Sequence, residues 1–211
     1  MSKKIDINKI LSTGSAKQRV VLLAYYHNLK EAIDKNIPVG EHKLPLTDSE
    51  ATALLNSFTN EKDIKIYNQY RELSLQIIQA MRWLNLLYKT FQTTYWKYRA
   101  YYSEEYYKKK KTGYPGHLED LEDTLIGDYS TALEYYTALK IYIKESGYKD
   151  KFIIGAIDEI YKLLKLDWSY DVRTNGDKDE ALDLKEVEPD EEAIKDILAV
   201  EFNLEYIADE E

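Results

Sequence analysis

No glycine or proline stands between Asn60 and Lys111, and across that stretch apolar and aromatic residues recur at alternating three- and four-residue steps. Tyr70, Ile77, Leu84, Phe91 and Tyr98 repeat every seven residues. Tyr67, Ser74, Met81, Tyr88, Tyr95 and Tyr102 repeat every seven with an offset of three or four. A spacing held this long predicts one helix with a continuous buried seam. At 1.5 Å rise per residue, about 50 residues would span roughly 75 Å. Ile78, Trp83 and Leu87 widen the stripe beyond a two-stranded seam, so a bundle is expected rather than a bare coiled coil. The run ends on Lys108, Lys109, Lys110 and Lys111, four cations at the carbonyl end that the helix dipole favours. Thr112-Gly113 and Pro115-Gly116 then turn the chain.

The flanking segments support a mainly α fold. Ser15 and Gln18 form an S-x-x-Q capping box, followed by a stripe of Val20, Leu23, Ala24, Tyr26 or His27, and Ile33. Thr47 and Glu50 form a second box before a short helix carrying Ala51, Leu54, Leu55 and Phe58. A second long helix is expected from about His117 to Glu145, with Leu118, Leu121, Leu125, Tyr129, Ala132, Tyr136, Leu139 and Ile143 on its seam. The short connection makes it the antiparallel partner of the first. A third helix, about Asp150 to Leu166, would bury Phe152 or Ile153, Ile157, Ile160, Leu163 and Leu164. Trp168, Tyr170 and Val172 alternate with polar residues before the turn signal Asn175-Gly176, which suggests a small β-hairpin. Pro189 opens a helix with Ile194, Ile197 and Leu198 on one face. Val200, Phe202, Leu204 and Tyr206 then alternate, which fits extended backbone and leaves helix and strand open over 200–207. The organisation read from the chain is an N-terminal arm (1–14), a helical bundle (15–166), a β-hairpin insertion (167–188) and an acidic C-terminal extension (189–211).

Charge divides the chain. The net charge is −9. Residues 1–111 hold 19 basic and 11 acidic side chains, net +8; residues 112–211 hold 10 and 27, net −17. The last 41 residues alone carry 4 and 16, net −12. An acidic chain makes a poor nucleic-acid clamp, whereas a basic half joined to an acidic half can complement itself within one fold or between copies. The 20 tyrosines against 4 phenylalanines suit half-wet packing and interfaces; the usage of a low-GC genome explains them equally.

Catalytic templates are missing. His27, His42 and His117 lie in separate segments, with no His-x-x-x-His pair and no H-E-x-x-H frame. There is no G-x-S-x-G, no phosphate-binding lysine loop and no G-x-G-x-x-G. With no cysteine there is no thiolate metal site. Asp171 to Asp179 has the outline of a calcium loop, but Arg173 and Leu182 stand where oxygen ligands are needed, and a turn is the better reading. No enzyme activity, metal or cofactor is expected. No apolar run is long enough to span a membrane, and MSKKIDINKI has no secretory apolar core; a cytoplasmic location, or a particle assembled there, is expected. Lys108 to Lys111, with tyrosines nearby, offer a partner-binding patch for phosphate or, more simply, a helix cap.

The basic-to-acidic polarity suits a contact between unlike surfaces, which closes into a ring when the rotation allows. The helical bundle of 15–166, the hairpin near Asn175-Gly176 and the acidic end from Pro189 to Glu211 together resemble the adaptor, or head–tail connector, proteins of tailed bacteriophages. The stretch WKYRAYYSEEYYKKKK (96–111) is also similar to virion proteins of crAss-like phages. The resemblance implies a structural virion protein in a dodecameric ring beneath the portal, assembled in the host cytoplasm. It implies portal and tail proteins as partners, DNA passing without specific binding, and Phe202, Leu204, Tyr206 and Ile207 as candidate portal contacts. The alternatives are a DNA-binding packaging protein of the small-terminase type acting through Lys108 to Lys111, another helical scaffold, or a hydrolase with an unrecognised site.

Overall fold

The computed structural model describes residues 7–34, 44–59, 61–112, 116–166, 168 and 184–204, with side chains throughout except at 7, 32, 101–112 and 116–119. Seven α-helices run in chain order: α1 (Ile7–Thr13), α2 (Ala16–Asp34), α3 (Asp48–Asn56), α4 (Glu61–Thr112), α5 (Gly116–Glu145), α6 (Lys151–Leu164) and α7 (Glu191–Phe202). Among the described residues a 3-10 turn, Leu184–Glu186, buries Leu184. No strand occurs among the described residues; the expected hairpin at Asn175-Gly176 and the loop at Asp171 to Asp179 lie outside them. The chain divides into two compact units, residues 1–78 with 148–153, and 79–147 with 154–211.

The first unit contains α1 to α3, the start of α4 and the 148–153 segment. Both capping boxes form. Gln18 Oε1 accepts from Ser15 N–H while Ser15 Oγ accepts from Gln18 N–H, and Thr47 and Glu50 exchange the same pair of bonds. Val20, Leu23, Tyr26, Leu46, Ala51, Leu54 and Phe58 build one core. Tyr26, not His27, takes the buried position on α2. Ile33 and Leu55, expected inside, are about two-fifths exposed, at 41% and 44%. The expected arm holds a helix instead. Ile10 and Leu11 of α1 pack on this core, because apolar residues at Ile7, Ile10 and Leu11 follow helical rather than strand spacing. Gly14 ends α1 at a close approach: a Cβ there would sit 2.4 Å from the Ile10 carbonyl oxygen.

The second unit is a helical hairpin with two shorter helices. Phe91 meets Tyr129 at 5.1 Å between ring centres, Thr94 donates to Asp128 at 2.6 Å and Tyr98 donates to Glu122 at 2.7 Å. The falling partner numbers along α5 show α4 and α5 antiparallel. The α4 seam is buried as its spacing required, at Leu84, Tyr88, Phe91, Tyr95 and Tyr98 here and at Ser74 and Ile77 in the first unit. Trp83 departs from the expectation and stands half-exposed. On α6, Ile153, Ile157, Ile160 and Leu164 are buried, while Leu163 faces out. Gly147, at φ +66°, closes α5 in the left-handed conformation that favours glycine.

The C-terminal segment corrects the sequence reading most. Residues 200–202 continue α7 rather than extending. Asp190 caps the helix, and Asn203, at φ +50°, closes it as Leu204 N–H bonds the Leu198 carbonyl at 3.0 Å. Ile194, Leu198 and Phe202 point into the unit. Phe202 stacks on Tyr142 at 4.6 Å and 17°.

Candidate functional site

Three features of the surface and interior remain once the core is accounted for: a buried polar cluster, an apolar groove and a set of exposed apolar side chains along α4.

The polar cluster lies in the first unit. Asp150 starts α6 by accepting from Phe152 N–H at 3.0 Å and Ile153 N–H at 3.3 Å through one carboxylate oxygen. Its other oxygen is buried without a partner, as are Asn28 Nδ2, Ser74 Oγ and Tyr148 Oη. Burial pushes the Asp150 carboxyl above its ordinary range, against the two backbone N–H groups and the Asn28 amide that pull it down. The Asn28 amide is thus near enough to be felt, yet neither it nor Asp150 Oδ2 completes a bond of normal length. Burial likewise raises the Tyr148 phenol. Asn28 Oδ1 accepts from Arg71 at 3.0 Å. His27 Nδ1 stands 2.8 Å from the Tyr67 hydroxyl, and burial, then Arg71 and Lys30, hold its pKa below the ordinary value. The ring is therefore a neutral hydrogen-bonding partner at pH 7.

The groove also belongs wholly to the first unit. It encloses about 670 Å³ between α2 and the 149–152 segment. Val21, Leu22, Tyr25 and Phe152 supply its apolar lining, and Lys17, Lys149 and Lys151 stand at its edge. The Tyr25 and Phe152 rings lie 6.0 Å apart. All three lysines are exposed, while Asp150, the one acid among the lining residues, is itself buried.

The exposed apolar side chains of α4 belong to the second unit, and at about 100° per residue Trp83 and Trp96 point roughly 140° apart around the helix. Trp83, Leu86 and Trp96 are 51%, 50% and 52% exposed. The interval from 83 to 96 covers about 20 Å of helix. No acid occurs from Leu73 to Ser103, whereas Arg82, Lys89, Lys97 and Arg99 do. The Arg99 guanidinium lies over the Trp96 ring at 5.3 Å. By contrast, α7 carries Glu191, Glu192, Asp196 and Glu201 along with Val200, which is 80% exposed.

The residues singled out from the sequence do not converge. Lys108 to Lys111 occupy the last turns of α4, and their side chains lie outside the described residues. Phe202 sits against Tyr135 and Tyr142 near the far end of α5. From Gly116 to Tyr142 that helix covers roughly 39 Å, so the lysine run and Phe202 flank opposite ends of the hairpin. Phe202 is buried in its own unit and offers no surface to a partner. Leu204 is half-buried; Tyr206 and Ile207 lie outside the described residues. The exposed tryptophans were missed because a tryptophan beside a seam has the same spacing whether it faces in or out. The acid-free run around them was the signal that separates the two.

Among the described residues, no group of three His, Cys, Asp or Glu side chains is placed to hold a metal ion. No described helix is long and apolar enough to cross a membrane. No protein-family model, curated protein or solved structure matches the chain.

Proposed function

We propose that this chain is a structural assembly protein rather than an enzyme, and that it forms a ring of the head–tail connector type in a tailed-phage virion. The observation carrying this reading is the set of exposed apolar side chains along α4. Two tryptophans and a leucine, each about half-exposed within an acid-free cationic stretch, are characteristic of interface anchors rather than of a solvated helix. The acidic outer side of α7, with Asp196 and Glu201 near the exposed Val200 and Glu192 paired to Lys195, has the complementary character. Joining these two unlike surfaces between copies gives a head-to-tail contact, which closes into a ring at a suitable rotation. The titratable groups support the same reading: the one histidine whose side chain is described pairs with a phenol, and of the two buried carboxylates Asp150 caps a helix and Asp63 pairs with Arg19.

In this reading no cofactor or metal is used, portal and tail proteins are the further partners, and the virion, assembled in the host cytoplasm, is the location. Leu204, Tyr206 and Ile207 remain the C-terminal candidates for contact. The test is the native mass of the full chain over a range of concentrations. The monomer is 24.8 kDa, and a dodecamer by symmetry would be about 300 kDa. A ring-sized species that grows with concentration is expected. A monomer at every concentration overturns the reading.

A second reading draws on the same cationic stretch with Lys108 to Lys111: a DNA-binding packaging protein. It predicts filter binding to duplex DNA with a steep salt slope, lost when all four lysines become Gln. The assembly reading predicts negligible binding in both forms.

A further inference from the structure

We infer that the groove between α2 and the 149–152 segment is the seat for the acidic C-terminal segment, residues 203–211, of a neighbouring copy. The inference rests on the assembly reading and adds to it a named pocket and a named occupant.

The groove has what an anchor site needs. Its volume of about 670 Å³ falls within the roughly 300–1,000 Å³ typical of pockets that enclose apolar groups. Aliphatic and aromatic side chains line it, and three lysines surround it. Asp150 does not offset those cations at the surface, since its carboxylate is buried and bonded to the α6 backbone. A suitable occupant is a short segment with a few large apolar side chains set among carboxylates.

The chain carries one such segment. Asn203 to Glu211 reads NLEYIADEE, with Leu204, Tyr206 and Ile207 among Glu205, Asp209, Glu210 and Glu211, and with no cation. Asn203 closes α7, which buries Ile194, Leu198 and Phe202, and the sequence places a further apolar set, Leu204, Tyr206 and Ile207, beyond that cap. The opposed charges would steer the encounter and weaken with salt, while the apolar anchors would set the residence time.

The test is photocrosslinking between labelled copies. The full chain is prepared with a benzophenone amino acid at Tyr206 and uniform ¹⁵N, mixed with unlabelled full-length wild type, sized, and illuminated. Crosslinks from the labelled tail to unlabelled peptides containing residues 15–25 or 149–152 are expected. In a Lys17→Glu/Lys149→Glu/Lys151→Glu acceptor the yield should fall about ten-fold, since three reversed charges at a partly exposed site amount to about 1.4 kcal/mol. An acceptor with an unchanged melting temperature establishes that the loss is not unfolding. Crosslinks confined to the labelled chain, or reaching other peptides in an assembled sample, overturn the groove assignment and leave the ring reading standing. A sample that sizes as a monomer before illumination overturns both.

Discussion

The two units are built from different materials. The second buries rings and aliphatics. Trp168 meets Tyr95 at 4.9 Å and Phe91 at 5.1 Å, nearly edge-on to both, and its indole N–H reaches the Leu163 and Leu164 carbonyls that end α6. Tyr136 and Tyr161 stack at 4.1 Å. The one buried polar side chain among the described residues there, Thr94, is bonded to Asp128. The first unit instead buries Asn28, Asp63, Ser74 and Asp150. Among the described residues, all the buried side-chain atoms without a hydrogen-bond partner, including Arg19 Nε, fall in it. Each such atom costs about 1–3 kcal/mol. The second unit is therefore the rigid scaffold, and the first is where a proton or a docking partner changes the energy most.

The sharpest way to break this contrast is truncation. Removing residues 189–211 uncovers the sites filled by Ile194, Leu198 and Phe202. At about 1.5–3 kcal/mol per buried side chain the loss is roughly 5–9 kcal/mol, comparable with a whole domain's stability. The second unit should lose its cooperative melt by circular dichroism. Removing only 205–211 should leave the melting temperature in place. Equal melts for the two truncations would mean that α7 is not part of the core.

A smaller effect belongs to Asp150. Its folded pKa lies above the ordinary 3.8. Above 3.8 the folded chain therefore holds this proton more tightly than the unfolded chain, and stability falls as pH rises through that window toward the raised value. Asn caps a helix as well as Asp does and carries no charge. Asp150→Asn should gain on wild type as pH rises from about 4 to 7, by on the order of 1–3 kcal/mol, the scale of an unmade buried bond. Urea melts at the two pH values check it, and a difference independent of pH would remove the buried-charge account.

Much of the scaffold was legible in the sequence because helix signals are local. The S-x-x-Q and T-x-x-E boxes form their bonds, and the seven-residue seam from Ile77 to Tyr98 is inside. The end of α7 stayed open between helix and strand because Val200, Phe202 and Leu204 satisfy a two-residue period while Ile194, Leu198 and Phe202 satisfy a four-residue one. Only packing against Tyr142 distinguishes them. The groove and the polar cluster were not legible at all, since both depend on residues 148–152 meeting α2 and α4 from some 75 or more positions away in sequence, as in the Lys149 N–H bond to the Tyr70 hydroxyl.

The smallest expected effect on folding goes with the largest on assembly. Trp83, Leu86 and Trp96 are each about half-exposed, so replacing all three by Ser should lower stability by only about 1.5 kcal/mol and leave the chain folded, surface substitutions being worth about 0.5 kcal/mol each. Sedimentation velocity of this variant beside wild type, at matched concentration and low salt, tests the central claim most directly. The account predicts an assembled wild type and a folded, monomeric variant. An assembled variant with the same mass distribution as wild type would contradict it.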